Sequence, residues 1–509
     1  MIKIDGNHLS IKDIFNVARN NEKVSLTIQA KEKIATSHSW VQEIVQLEKP
    51  VYGINTGFGI FSNKQISPQD LKKLNRNLII SHAVGTGPDL PEDVVRAAML
   101  IRANTLASGY SGVRVELVEN ILKMLNQNVT PCIPSKGSLG SSGDLAPLSH
   151  LALVLTTDEQ ELEDESGWAI YKGNKTSGKN AMKAATIKRL KLEPKEGLAI
   201  TNGATFSAAL AALAIHQAEI LINTAEVALA MSLEALLGVS AAFDERLHSI
   251  RRQNGQITVA ARVRELTHGS TLLDTARRVQ DVYSLRCAPQ IQGPARDTLD
   301  FVRKIISQEI NAVTDNPLLL GRGEAISGGN FHGEIIGMAM DFLKIALAEV
   351  AAISERRTYN LTDENMNGGL PPMLVDTHEA AGLNSGMMMP HYTAAALVLE
   401  TQHMCTPDSI QSLPTSGGKE DHNANAMTAA RHAYQIAKNC GHVIAIELYC
   451  AARALDLRFR ENSKYKMGAG VGGAHRRIRE IIPLQLEDAL WGPEIDDVRK
   501  LVSEGLLVL

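Results

Sequence analysis

The sequence predicts a mainly α-helical protein, in which a long central helical bundle follows a smaller N-terminal α+β region. Aromatic residues make up only 4% of the 509 residues, whereas Ala, Leu, Ile and Met crowd the middle and later segments, a composition that favours helix over sheet. Residues 205–241 contain almost no charge and are apolar on nearly every face. A helix of this kind must be buried on all sides, which places it at the centre of a bundle.

The elements are expected in the following order. Residues 1–200 combine short strands such as 24–28 with shorter helices and with glycine-rich loops at 53–59 and 137–143. A boundary near residues 197–202 separates this N-terminal region from a helical bundle over residues 201–509. The predicted long helices span 205–241, 296–313, 332–358, 387–404 and 424–456, with breaks at Pro317 and at the Asn-Gly-Gly-Leu-Pro-Pro stretch 367–372. Several helices of about 20 residues or more indicate a long bundle.

Composition excludes several classes of partner. The formal net charge of −4 provides no basic surface for nucleic acid or an anionic membrane, so we expect a small-molecule partner. Five widely spaced cysteines form no disulfide framework, which indicates a reducing cytosol. We expect no targeting segment and no membrane span, and therefore a cytoplasmic protein. The fifteen histidines form no His-x-x-x-His pair or His/Cys cluster, so no metal is implied.

The most informative stretch is residues 137–150, Gly-Ser-Leu-Gly-Ser-Ser-Gly-Asp-Leu-Ala-Pro-Leu-Ser-His. Because Gly143 has no Cβ, its amide nitrogen can approach the carbonyl carbon of Ser141 closely enough to close a ring. Loss of water from the ring and from the Ser142 side chain would leave a methylidene group, an electrophile that no standard side chain provides. A Ser/Gly cluster by itself more commonly marks an ordinary turn.

This run closely resembles the signature of the histidine and phenylalanine ammonia-lyase family, and the resemblance extends through most of the chain. Members of that family form 4-methylidene-imidazol-5-one (MIO) from Ala-Ser-Gly. The resemblance implies that MIO forms here from Ser141, Ser142 and Gly143, without a metal. Ser141 stands where Ala is usual, and its side chain would only be a substituent next to the ring. The methylidene carbon comes from Ser142.

Tyr52 lies in Val-Tyr-Gly-Ile-Asn-Thr-Gly-Phe-Gly, a glycine-rich segment that can turn sharply and approach a ligand. A tyrosine packed before a turn is the alternative interpretation. The segment matches the family's Tyr-Gly-Val-Asn-Thr-Gly-Phe-Gly, in which the tyrosine is the base that removes the β-proton of the substrate. That role predicts a phenol whose pKa is lowered from about 10 by its surroundings.

Residues 280–287, Gln-Asp-Val-Tyr-Ser-Leu-Arg-Cys, supply an amide, a phenol and a guanidinium. Arg286 is a surface charge in the simplest interpretation, but a planar guanidinium also holds a carboxylate through two parallel hydrogen bonds. The resemblance implies that Arg286 holds the substrate carboxylate and that Tyr283 assists at the ring or the amine. Gln280 and Asn202 resemble further polar contacts of the family, although Asn202-Gly203 alone would indicate a turn.

Three residues bear on the choice of substrate. His82, in Ser-His-Ala-Val-Gly-Thr-Gly, resembles the histidine enzymes and some tyrosine aminomutases, whereas a phenylalanine pocket tends to carry Phe-Leu there. Glu420 matches a glutamate typical of histidine ammonia-lyases, and a carboxylate favours an imidazole N–H over a bare phenyl ring. Phe331 resembles the pocket aromatic, with core packing as the alternative. Residues 423–427, Asn-Ala-Asn-Ala-Met, depart from the usual Val-Ser-Met continuation near Glu420.

Together these residues predict an MIO-dependent ammonia-lyase that converts L-histidine to trans-urocanate and ammonia. The resemblance further implies a homotetramer whose active sites combine residues of three subunits. Two alternatives stay open on the same scaffold: a tyrosine or phenylalanine ammonia-lyase or 2,3-aminomutase, and a non-catalytic helical assembly protein.

Overall fold

A computed structural model describes residues 1–46, 50–158, 161–276 and 278–508, and most of them are helical, as the composition predicts. The helices are α1 (Ile11–Arg19), α2 (Ile28–Gln46), α3 (Leu71–His82), α4 (Glu92–Ala107), α5 (Val115–Asn126), α6 (Leu145–Leu155), α7 (Gly178–Ala184), α8 (Glu196–Thr201), α9 (Thr205–Ala235), α10 (Glu245–Arg251), α11 (Asn254–Leu266), α12 (Tyr283–Arg286), α13 (Ala288–Glu309), α14 (Glu334–Thr362), α15 (Met388–His403), α16 (Ala426–Glu461), α17 (Ala469–Ile481) and α18 (Trp491–Ser503).

The five predicted long helices are all present, as α9, α13, α14, α15 and α16. Helix α9 is long and apolar enough to cross a membrane by length and composition, but 78% of its most apolar window is buried inside the protein. A buried core helix has the same composition, so this finding agrees with the predicted central helix. Helix α13 begins at Ala288 and not at residue 296, because it accommodates Pro294 in its interior.

The strands are short and are β1 (Ile2–Ile4), β2 (Val24–Leu26), β3 (Thr86–Asp89), β4 (Val129–Pro131), β5 (Pro134–Lys136), β6 (Trp168–Tyr171), β7 (Asn174–Ser177), β8 (Leu318–Gly321) and β9 (Glu324–Ile326). Strands β1 and β2 pair in parallel, and β3–β5, β4–β6–β7 and β8–β9 form small antiparallel sheets. The pairing of β3 with β5 matters most for the site. It places the chain that follows α3 beside the chain that enters the glycine-rich loop after β5.

The chain forms two compact units. The first consists of residues 1–216, 303–341 and 407–431, so it reaches past the predicted 1–200 region and includes two later segments. It holds β1–β9 and α1–α8. The second unit consists of residues 217–302, 342–406 and 432–509 and is helical. Within the second unit the buried Arg357 guanidinium pairs with the buried Glu447 carboxylate, which also accepts hydrogen bonds from Ser232 and Ser354.

Candidate active site

A cavity of about 560 Å³ in the first unit is lined by five of the residues that the sequence singles out. They are Tyr52, His82, Ser142, Asn202 and Glu420. They come from five separate stretches of the chain. Three of these meet because the loop after β5 lies beside the end of α3 and the end of α8. The structure thus brings together one chemically unusual loop and four polar side chains around one concave space.

The reactive loop, residues 137–144, connects β5 to α6 and is held by backbone and side-chain hydrogen bonds. The carbonyl oxygen of Ser142 accepts one hydrogen bond from Asn202 Nδ2 at 2.5 Å and another from the Gly203 amide at 3.2 Å. The Asp144 amide donates to the Gly203 carbonyl at 2.9 Å. These contacts fix the Ser142 carbonyl while its side chain borders the cavity.

Gly143 occupies a position that only glycine can fill. Its φ is +90°, and a Cβ built on it would lie 2.1 Å from the backbone nitrogen of Gly203. Real Cβ atoms do not approach backbone this closely, so any side chain would push the two loops apart. The close approach of the 143 and 203 backbones therefore depends on the glycine that the sequence places there.

Asp144 anchors the far end of the loop, a role that the sequence did not suggest. Its buried carboxylate accepts hydrogen bonds from Ser138 Oγ at 2.7 Å, from the Ser207 amide at 2.8 Å and from Ser207 Oγ at 2.9 Å. Burial raises the pKa of Asp144, while these hydrogen bonds act to lower it. The sequence feature that could have indicated this role is an acidic residue directly before the apolar residues of α6.

Tyr52 lines the cavity, but its surroundings in this chain do not lower its pKa. Burial raises the pKa of Tyr52, and the nearby negative charge of Glu420 raises it further, whereas the Gly59 backbone hydrogen bond lowers it. The expectation of a lowered pKa is wrong for the first unit considered by itself. A phenol whose pKa is raised above its ordinary value of about 10 stays protonated at neutral pH.

His82 and Glu420 both line the cavity. His82 is the last residue of α3, and its ring contacts Ser81 Oγ through Nδ1 at 2.9 Å. Burial lowers the pKa of His82, and the Glu420 charge partly opposes this. The residues around Glu420 are fixed by a pair of backbone hydrogen bonds between Thr415 and Glu420.

The remaining predicted residues do not line this cavity within the described part of the chain. Ser141 is buried, and its hydroxyl donates to the Oδ1 of Asn423. Phe331 is half-buried in the turn before α14, where the neighbouring Gly333 amide donates to the Gly140 carbonyl at 2.8 Å.

Gln280, Tyr283 and Arg286 belong to the second unit. The Tyr283 side chain is 68% exposed, and the Arg286 guanidinium lies 4.7 Å from the centre of its ring. The Nε of Arg286 is buried, and no described residue accepts a hydrogen bond from it. An exposed phenol stacked on a guanidinium suits contact with a further molecule.

Several lining residues were missed by sequence reasoning. Asn77 and Ser81 share with His82 the cavity face of α3, a signal available from helical spacing. Lys64 brings a positive charge to the cavity from an irregular loop, where no periodicity marks it. The apolar lining residues include Phe58, Ile60, Phe61, Leu74, Leu78, Leu145 and Leu198. Across the described ranges, no three His, Cys, Asp or Glu side chains are grouped to hold a metal ion.

A serine- and glycine-rich loop thus lies at the edge of a mixed polar and apolar cavity, on a scaffold of long helices. This arrangement agrees with the ammonia-lyase class, a group of carbon–nitrogen lyases, that the sequence resembles. The sequence profile of the aromatic amino acid lyase family matches residues 9–480, and the chain belongs to that family.

Individual relatives cover nearly the whole chain. The histidine ammonia-lyase of Caldanaerobacter subterraneus subsp. tengcongensis is 46% identical over 507 residues, which are 99% of this chain and 97% of the relative. The crystal structure of histidine ammonia-lyase from Trypanosoma cruzi is 35% identical and has a TM-score of 0.90, over 99% of this chain and 94% of that one. The tyrosine aminomutase of Streptomyces globisporus is 32% identical, with a TM-score of 0.92 over 100% and 97% of the two chains.

Proposed function

We propose that this protein eliminates ammonia from L-histidine to give trans-urocanate. The observation that carries the proposal is the cavity in which Ser142 meets Tyr52, His82 and Glu420. Relatives that carry the name histidine ammonia-lyase match the chain at 46% and 44% identity over almost its full length, which supports the same substrate. The carboxylate of Glu420 suits an imidazole N–H and would be a costly unpaired charge beside a bare phenyl ring.

We propose further that Ser141, Ser142 and Gly143 form MIO in the folded protein. The Gly143 nitrogen bonds to the Ser141 carbonyl carbon. The oxygen of that carbonyl leaves as water with the amide hydrogens of Gly143 and Ser142. Ser142 then loses its hydroxyl and its α-hydrogen as a second water, which leaves the methylidene carbon.

The residues around the loop fit such a group. The unsubstituted Gly143 allows the compact backbone that ring closure needs, and Asn202 and Gly203 donate to the one carbonyl oxygen that the ring would retain, that of Ser142. Two donors aimed at this oxygen favour negative charge on it, which makes the conjugated methylidene more electrophilic. Once formed, the group supplies an electrophile for the amino group of the substrate.

The other predicted residues bind the substrate and move its proton. Tyr52 is suited to remove the β-proton, and burial and the Glu420 charge, which raise its pKa, must be offset for it to act as a base. Arg286 is suited to hold the substrate carboxylate, with Tyr283 assisting at the ring or the amine and Gln280 as a further polar contact. The second unit of another copy would deliver these residues in a homotetramer with shared active sites. We assign the protein to the cytoplasm on its composition.

A second candidate within the same family is a tyrosine or phenylalanine ammonia-lyase or a 2,3-aminomutase. The observation in its favour is the TM-score of 0.92 to a tyrosine aminomutase, at 32% identity. An aminomutase returns the amine to the β-carbon, so its product is a β-amino acid and no ammonia accumulates. The non-catalytic alternative requires that the reactive loop stay unmodified.

Two measurements on the purified protein test the proposal. Intact-mass spectrometry should find the chain lighter than its sequence by two waters, and Ser142→Ala should abolish the water loss that comes from its side chain, together with nearly all turnover. Incubation with histidine, tyrosine and phenylalanine, followed by product identification, should give urocanate and ammonia from histidine. An unmodified mass in active protein would contradict ring formation, and a β-amino acid product would instead identify an aminomutase.

A further inference from the structure

Two departures from the family's usual sequence, at 141 and in 423–427, meet in the folded chain. Ser141 and Asn423 are separated by 282 positions, yet the Ser141 hydroxyl donates to Asn423 Oδ1, and the two residues are 5% and 1% exposed. Asn423 is itself fixed at two further points. Its Nδ2 donates to the Leu413 carbonyl, and its backbone amide donates to Ser412 Oγ at 2.7 Å.

The segment that carries Asn423 also packs directly against the reactive loop. Gly140 adopts a φ of +65°, and a Cβ built on it would lie 2.8 Å from the Cβ of Ala426. A Cβ on Gly333, whose amide donates to the Gly140 carbonyl, would lie 2.8 Å from the same Ala426 Cβ. The start of the loop therefore rests on the first residue of α16, three positions after Asn423.

Asn423 does not act on the substrate cavity. It is absent from the lining formed by the described residues, and its side chain is directed to Ser141 and Leu413. The unusual 423–427 segment thus contacts the reactive loop through Asn423 and Ala426, and Asn423 does not line the cavity beside Glu420. Its effect is expected on the formation of the electrophile and not on the choice of substrate.

Ring closure joins the Gly143 nitrogen to the Ser141 carbonyl carbon, so both ends of this short stretch must be held. The downstream end is held by the hydrogen bonds that Asn202 and Gly203 donate to the Ser142 carbonyl. The upstream end carries the Ser141 side chain, and a hydrogen bond on its Oγ restricts rotation about the bonds of the same residue whose carbonyl carbon is attacked. Because the hydrogen bond already restricts the conformations of Ser141, ring closure loses less conformational entropy than it would in a mobile loop.

We infer that the hydrogen bond between Ser141 and Asn423 positions the Ser141 carbonyl for ring closure, which makes Asn423 a positioning residue for the maturation of the electrophile. This inference rests on the proposed formation of MIO. Fixing the backbone of one residue corresponds to a factor of about five to thirty in an equilibrium or rate. Loss of the hydrogen bond should therefore slow maturation by about that factor.

The experiment follows maturation in freshly translated full-length chain. Synthesis in a cell-free system is stopped at intervals with acid, and mass spectrometry of the peptide that contains residues 137–150 gives the fractions that have lost no, one or two waters. The variants are Ser141→Ala, Asn423→Val and their double combination, and the melting temperature of each is measured in parallel. Asn425→Gly is the matched control, because Asn425 also donates to loop carbonyls but does not contact Ser141, and glycine accepts its φ of +47°.

Each single variant should mature about five- to thirtyfold more slowly than wild type and should melt at a lower temperature. Ser141→Ala leaves Asn423 Oδ1 unpaired, whereas Asn423→Val leaves both Ser141 Oγ and the Leu413 carbonyl without their partner. The double variant removes both members of the Ser141–Asn423 pair and leaves only the Leu413 carbonyl without its donor, so its melting temperature should rise above that of Asn423→Val while its maturation stays slow. Asn425→Gly should mature at the wild-type rate. If Asn423→Val does not fold, Ser141→Ala tests the same bond by removing a single oxygen atom.

The possible outcomes distinguish failure of this inference about Asn423 from failure of the proposed formation of MIO. Wild-type maturation in both single variants, or recovery of maturation together with stability in the double variant, would show that the hydrogen bond serves stability alone and would overturn the inference. A wild-type peptide that never loses water would instead overturn the proposed function on which the inference rests.

Discussion

Replacement of Glu420 by glutamine is the sharpest test of the substrate assignment, because it removes a charge from the cavity and almost no volume. Glu420 lines the same cavity as His82 and Ser142, so a histidine ring bound there can donate its N–H to this carboxylate. A hydrogen bond to a charged group contributes about 1.5–3 kcal/mol, and each 1.36 kcal/mol is a factor of ten in rate. Glu420→Gln should therefore lower kcat/KM for histidine by about ten- to a hundredfold.

The same substitution should also change the pH dependence in a defined direction. The Glu420 charge raises the pKa of both Tyr52 and His82, so its removal lowers both pKa values. A base with a lower pKa is deprotonated at lower pH. The limb of the kcat/KM profile that reports the deprotonation of Tyr52 should accordingly move toward acid in Glu420→Gln.

Asp421→Asn is the matched control, since it makes the same carboxylate-to-amide change at the next residue, which is exposed. The assay records kcat/KM for histidine and phenylalanine across pH in wild type and both variants. An unchanged ratio between the two substrates in Glu420→Gln, or an equal loss in Asp421→Asn, would refute the argument that Glu420 recognises the imidazole ring.

Three further predictions concern other parts of the chain. Arg286→Lys should lower kcat/KM by about ten- to a hundredfold, since lysine keeps the charge but loses the two-pronged grip, and steady-state kinetics equal to wild type would remove Arg286 from the site. Asn202→Ala removes the 2.5 Å hydrogen bond to the Ser142 carbonyl and should lower kcat by about a hundredfold, the effect of one lost oxyanion donor; a rise in KM with kcat unchanged would contradict that role. Glu234→Gln tests a buried carboxyl whose pKa is raised by burial to about 8, although the Gly468 amide donates to it. The folded protein keeps this proton between pH 4.5 and about 8 while the unfolded chain releases it, so the free energy of unfolding falls as pH rises. Denaturant titrations of Glu234→Gln across this interval should show a slope shallower by up to about 1.4 kcal/mol per pH unit, and an unchanged slope would contradict it.

The sequence predicted the long helices well because their signal is local. Residues 205–241 are apolar on nearly every face, and the observed α9 ends only slightly earlier, at Ala235. The loops that border the cavity were likewise indicated by their glycines and by polar residues that match motifs of the family. Five of the predicted site residues share one cavity for this reason.

What the sequence could not predict depends on contacts between distant segments. The first unit includes residues 303–341 and 407–431. No local sequence pattern indicates that these two segments belong to the same compact unit as the N-terminal region. The pKa of Tyr52 was expected to fall, but Glu420, far away along the chain, contributes to raising it. The hydrogen bond between Ser141 and Asn423 likewise joins two residues that looked like unrelated departures from a family pattern. The boundary near residues 197–202 stays a prediction.

The contact between the reactive loop and Asn423 also sets a time order for synthesis. The Ser-Ser-Gly sequence leaves the ribosome about 280 residues before Asn423, and at about 5–20 residues per second this interval is roughly 14–56 s. During that interval the nascent chain holds the precursor of an electrophile without the residue that positions it. Chains that stop short of residue 423 would therefore mature slowly, and the reactive group would be concentrated in chains whose synthesis is nearly finished.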